Sequence, residues 1–150
     1  MIKRKLKKID TEKEPYLVWN EFIDLLANED ELDLSEIQKN AKRAFVYDSE
    51  IQNGGHLQYF ENERLTDYSK IIKSLIEIGA SEQANILEKA SLQFLAKKRK
   101  PILNVLSFVK KAKEDEYSEF DNLYYNIKPD MNNYLNDYLE KYKNEFIDFD

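Results

Sequence analysis

The chain has 150 residues, 42% hydrophobic and 35% charged, with a net charge of −6 and 10 Tyr, 8 Phe and 1 Trp. That is too apolar and aromatic for a disordered chain, and 3 Gly with 3 Pro are too few turn-formers for an all-β fold. With no cysteine there is no disulfide framework, thiolate nucleophile or cysteine-ligated metal, which fits a reducing, cytoplasmic setting, and no apolar run reaches the roughly 20 residues that span a bilayer.

An all-α fold is expected, a single compact domain of about six to eight helices. Residues 1–13 read as a basic N-terminal segment that can be flexible, with Lys3, Arg4, Lys5, Lys7 and Lys8 unopposed by acids until Asp10; residues 14–150 read as the helical domain. Pro15 opens a first helix with Trp19, Phe22, Ile23 and Leu26 on one stripe, closing near Asn28. Asp33 or Ser35 caps a second, whose Leu34, Ile37, Ala41, Ala44 and Ile51 keep helical spacing until Gly54 and Gly55 stop it. Thr66 or Asp67 caps a third through Ile71, Ile72, Leu75, Ile76 and Ile78, and Gly79 stands where a left-handed C-terminal cap belongs. Ser81 caps a fourth, with Ala84, Leu87, Ala90 and Phe94 inward and a basic last turn.

From Pro101 to Ala112 a fifth helix would turn Ile102, Val105, Leu106 and Val109 inward, and a sixth would carry Tyr117, Phe120, Leu123 and Tyr124. Pro129 marks the first turn of a last helix with Met131, Leu135, Tyr138, Tyr142, Phe146 and Phe149 on its apolar face. No strand-like alternation is sustained, and there is no internal repeat or flexible linker. Charge is zoned: seven bases between Lys97 and Lys113 face an excess of acids from Glu114 to Asp150.

The chemistry expected is binding rather than catalysis. His56 is the only histidine, and no hydrolase, phosphate-loop, metalloprotease or calcium-loop pattern surrounds it, so no catalytic residue, metal ligand or cofactor site is assigned. The segment from Glu50 to Asn62 holds two of the three glycines among amides and aromatics. Its first reading is a corner: Gly54 and Gly55 tolerate positive φ, Leu57 and Phe60 pack inward, and Gln58 or Asn62 satisfies backbone groups at the junction. Asp48 interrupts an apolar row, as a carboxylate receiving hydrogen bonds from Asn53, corner amides or a Tyr hydroxyl would. His56 reads as a residue supporting the corner.

The pattern ExxNGGxxQYFxN, with Asn53, Gly54, Gly55, Gln58, Tyr59, Phe60 and Asn62, and then Ile78-Gly79-Ala80, resembles the bacterial DNA-mimic protein domain family. The likeness runs from about Asp48 to Ala90 and departs at His56, where the family usually has Phe, and at Leu65, near where it often has Gly. The resemblance implies an acidic all-helical protein, dimeric in the member that gave the family its name, which imitates the charge of duplex DNA on a repressor's DNA-binding face. It implies a structural role, not an active site, for the motif residues.

On that reading, Glu29, Asp30, Glu31, Asp33 and Glu36, together with Asp137, Glu140 and Asp148, are the candidate partner-binding acids, standing in for phosphates. The partner would be a DNA-binding protein, with no nucleic acid or membrane bound directly, and the aromatic last helix could serve as a homodimer face. An alternative is an immunity-type or adaptor module anchored by exposed aromatics such as Tyr125, Tyr134 and Tyr138. The Lys97 to Lys113 bases read as helix-end and solubility residues, since the net charge is wrong for nucleic-acid binding.

Overall fold

The computed structural model describes residues 2–97, 102, 104–113 and 116–150, of which 111–113 as backbone only. Its described elements run β1 (Arg4–Leu6), α1 (Lys8–Lys13), α2 (Tyr16–Asn28), a 3-10 turn (Glu31–Asp33), α3 (Glu36–Asn62), α4 (Tyr68–Glu77), α5 (Ser81–Lys97), α6 (Val105–Lys113), α7 (Ser118–Tyr125), α8 (Met131–Lys141), α9 (Lys143–Phe146) and β2 (Ile147–Phe149). The fold is all-α apart from a two-stranded parallel sheet, β1 on β2 in the register Arg4–Ile147, Lys5–Asp148, Leu6–Phe149. That sheet corrects two expectations. Part of the basic start is a strand, and Phe149 lies in its partner rather than on a helix.

Arg4 fixes β1 to α2 by bridging Asp24 at 2.8 Å and Glu29 at 2.7 Å. Gln38, fully buried on α3, ties the two chain ends together. Its Nε2 donates to the carbonyl of Ile2 at 2.6 Å and to that of Glu145 at 2.8 Å.

The caps follow local chemistry. Ser35, not Asp33, opens α3 through a reciprocal capping box with Gln38, whose Oε1 accepts from the Ser35 N–H at 2.9 Å. Asp67, not Thr66, opens α4, accepting from the Ser69 N–H. Ser81 is the first residue of α5, and the Ala80 carbonyl accepts the first helical N–H, from Ala84. Asp130 caps α8, so Pro129 lies one residue before the cap and follows a cis peptide bond. At Tyr142 the last helix breaks into α8 and α9.

Helix α3 runs through the middle and carries the core. Ala41, Ala44, Tyr47, Ile51 and Phe60 are fully buried, and α2, α4, α7 and α8 all pack against it. Around its second half the core is aromatic: Phe60 stacks on Phe94 at 4.7 Å between centroids, and Tyr47 meets Tyr59 edge-on at 4.9 Å. The four inward positions expected on α5 are all buried.

Helix α6 departs most from expectation. It begins at Val105, and Val105 and Leu106 are 77% and 84% exposed, with Val109 also exposed, so three of the four expected inward positions face solvent while Ile102 packs against the core. Leu123 and Ile76 are exposed as well. Pro101 and Lys98 to Lys100 lie outside the described residues. Among the described residues no helix is long and apolar enough to cross a membrane.

Candidate functional site

The motif makes the expected corner: α3 is two helices that meet at a kink at Gly55, the first ending and the second starting there. At the kink Gly55 alone leaves helical geometry, at φ 72° and ψ −172°. A side chain there would be strained, and its Cβ would collide with the Asp121 carboxylate from α7. That carboxylate occupies the place of an N-cap for the second half of α3. Asp121 Oδ1 accepts from the His56 N–H at 2.9 Å and from the His56 ring Nδ1 at 2.7 Å.

A carboxylate oxygen accepts, so Nδ1 carries its proton toward Asp121, and in that tautomer of the neutral ring Nε2 accepts from the Tyr47 hydroxyl at 2.7 Å. The imidazole is completely buried against Tyr47, Phe60 and Tyr124. Burial first, then nearby negative charge, pushes the Tyr47 phenol well above its ordinary range. The row Tyr47–His56–Asp121 is therefore a satisfied internal strut. Asp48, one residue after Tyr47, accepts from Tyr124 Oη at 2.6 Å, so of the donors expected for it (Asn53, the corner amides or a Tyr hydroxyl) the hydroxyl is the one it meets.

Leu57 and Phe60 pack inward as the corner required. Gln58 and Asn62 do something other than satisfy backbone groups. Both turn their amide nitrogens onto Glu50 Oε2, at 2.7 and 2.8 Å, and Asn53 Nδ2 donates to Gln58 Oε1 at 3.1 Å. Gly54 makes this possible, since a Cβ there would collide with the Gln58 side chain. The four polar residues form one wall of an open cleft of about 520 Å³, whose other wall is Ile102, Val105 and Phe108 near the start of α6. Glu50 and the α6 wall were missed in the sequence as site residues; the signal for Glu50 was its place four residues from the corner, one helical turn before Gly54.

Tyr59 is buried in the aromatic core beside Tyr47. Gly79 closes the α4–α5 turn at φ 94°, where an added Cβ would come within ordinary contact distance of the Tyr134 ring on α8.

The candidate acids divide into two groups. Glu29 is paired with Arg4, Glu31 with Arg43, Glu36 with Lys39 at 3.2 Å and Glu140 with Lys143 at 3.0 Å. Asp30 caps the 3-10 turn through the Leu32 N–H. Asp33, Asp137 and Asp148 are exposed and meet no base among the described residues. Of the tyrosines considered as anchors, Tyr138 is buried, Tyr134 half-buried and Tyr125 half exposed with its hydroxyl donating to the Ile51 carbonyl at 2.6 Å. They form no free aromatic face. Among the described residues no three His, Asp or Glu side chains are grouped to hold a metal ion.

An acidic all-helical chain bent at Asn-Gly-Gly, with amides gathered on a glutamate at the bend, is the class of protein that fold and motif define. The chain belongs to the DMP19-like protein family, a family of DNA-mimic proteins, whose model matches residues 32–142. That match contains the whole motif and the described residues that line its cleft; β1 and β2 at the chain ends lie outside it. Neither a curated protein nor a solved structure matches the chain.

Proposed function

We propose that this protein acts by binding rather than catalysis, and that its partner is a DNA-binding protein whose nucleic-acid face it occupies. The observation that carries this reading is membership of a DNA-mimic family over residues 32–142. Exposed acids support it. Asp33, Asp137 and Asp148 are uncompensated by described bases, and a phosphate-binding surface of Lys and Arg would find in them the charge it normally meets along a duplex. Glu29 and Glu31 contribute less than the sequence reading assigned them, because Arg4 and Arg43 already neutralise them. Such a partner would place the protein in the cytoplasm, without a cofactor.

The test is capture of partners from lysate of the source organism on immobilised protein, eluted by salt steps and then by competing duplex DNA. A DNA-binding protein released by both, and no longer captured after Asp137→Lys with Asp148→Lys, is the expected outcome. A partner indifferent to duplex DNA, or held through high salt, would overturn mimicry. It would favour an adaptor-type module instead, for which the solvent-facing Val105 and Leu106 on α6 supply apolar contact area.

A further inference from the structure

The cleft beside the bend has a definite polarity. Glu50 is acceptor-only, so the Gln58 and Asn62 amides must present nitrogen to it, and Gln58 Oε1 in turn takes the Asn53 nitrogen. Every amide in the wall is thereby oriented. The oxygens left without a partner among the described residues are Glu50 Oε1, Asn53 Oδ1 and Asn62 Oδ1. Glu61 also lines the cleft, but Arg64 pairs with its Oε1 at 3.1 Å and its Oε2 accepts from the Ile102 N–H at 2.9 Å, so the charge on offer is that of Glu50; no Lys or Arg is among the described residues lining the cleft. Opposite this acceptor wall stand the aliphatic Val105, largely exposed, and the half-buried ring of Phe108.

An occupant complementary to both walls is a cation with several N–H donors in a plane and a face that lies against an aromatic ring. A guanidinium has that shape, whereas an ammonium offers a point charge without a stacking face. We propose that this cleft takes an arginine side chain of the protein partner, its N–H groups on the Glu50 carboxylate and the Asn53 and Asn62 carbonyls and its plane against Phe108. The inference rests on the reading that the protein binds another protein. It differs from that reading in placing one anchoring contact in a cleft built by the family motif rather than on the acidic surface.

The experiment titrates the 15N-labelled full chain with Nα-acetyl-arginine amide, and in parallel with the acetyl-lysine amide, the neutral acetyl-citrulline amide and magnesium chloride. The arginine compound should give saturable shifts at the Asn53, Gln58 and Asn62 side-chain amides and along α6. The citrulline compound should give none, and the lysine compound should bind several-fold more weakly. Glu50→Gln should weaken the arginine response about tenfold. Phe108→Leu, which keeps an apolar side chain without the ring and alters none of the α3 polar residues, should weaken it a few-fold.

No saturable arginine response, an equal response to citrulline, or an equal response to magnesium would each overturn the proposal. The partner capture separates the two readings. A DNA-displaced partner that binds Glu50→Gln and Phe108→Leu as tightly as the parent chain would leave mimicry standing and sink the cleft as its anchor. Capture that duplex DNA does not compete would remove mimicry and leave the titration to decide the cleft.

Discussion

Asp121 holds His56 twice: one carboxylate oxygen on α7 accepts both the backbone N–H and the ring Nδ1–H of a residue 65 positions earlier. On the far side of the ring, Nε2 takes the Tyr47 hydroxyl, so the imidazole is a spacer between two buried polar groups. His56→Phe keeps the volume but leaves a buried phenol without an acceptor, at a cost of about 2–3 kcal/mol. Adding Tyr47→Phe should return about 1 kcal/mol of that loss, read as coupling in a urea-denaturation double-mutant cycle. Equal costs of Tyr47→Phe in both backgrounds would show that the bond contributes nothing.

Gly55 is the residue the bend cannot exchange. Gly55→Ala forces a Cβ into positive φ and against Asp121, which also displaces the carboxylate from His56. A loss of about 2–3 kcal/mol is expected. Gly54→Ala collides with the Gln58 side chain instead. It should cost less, because that side chain can swing away from Glu50. Thermal unfolding of the two variants side by side tests the ranking, and equal losses would contradict it.

Asp48 makes stability depend on pH in a direction opposite to that of a paired surface acid. Burial lifts its carboxyl above the ordinary 3.8, and the hydrogen bonds from Tyr124 and Gln52 only partly oppose this. The folded chain therefore holds this proton more tightly than the unfolded chain. Its contribution is fullest below the ordinary value and is lost as pH rises through the raised one. Asp48→Asn keeps an oxygen for the Tyr124 hydroxyl and removes the charge. It should be more stable than the parent near pH 7, by under about 1 kcal/mol since the group still meets solvent, and the advantage should vanish by about pH 3. Urea midpoints at the two pH values decide it; an advantage that persists at the lower one would mean that charge is not the cause.

What could be read from the sequence was what local chemistry decides. Ser35 and Asp67 each stood in a pair of cap candidates and are the caps because their side chains reach an N–H two or three residues on, Gly55 and Gly79 take positive φ, and Asp48 in an apolar row needed a hydrogen-bond donor, which is a Tyr hydroxyl. The errors lie where a distant neighbour decides. Val105, Leu106 and Val109 keep helical spacing, but spacing does not reveal whether another element lies over them, and none of the described ones covers Val105 or Leu106. Three-residue strands at Arg4 and Ile147 have too few residues to show alternation, and their pairing depends on a partner across the whole chain. The cleft was hidden for the same reason: its second wall comes from α6, about half a helix-bundle of sequence after the motif.

Gln83 offers a route to higher stability. It is buried on α5, and its Oε1 has no hydrogen-bond partner among the described residues. Gln83→Met has similar length and no acceptor to desolvate, so it should gain about 1 kcal/mol. A loss in thermal stability would show that the oxygen is satisfied in solution, for instance by a bound water.

Gln38 is the counterexample, a buried amide whose every polar atom is used. Its Oε1 accepts from the Ser35 N–H, and its Nε2 donates to the carbonyls of Ile2 and Glu145. It thus couples the start of α3 to the residues that flank β1 and β2. Gln38→Leu should cost about 2–4 kcal/mol by leaving buried backbone groups unpaired. The loss should concentrate at the chain ends, because that is where the orphaned carbonyls lie. Hydrogen exchange at the β1–β2 amides should accelerate well before that of the α3 core around Tyr47. Uniform acceleration would mean that Gln38 supports the domain as a whole rather than clamping its termini.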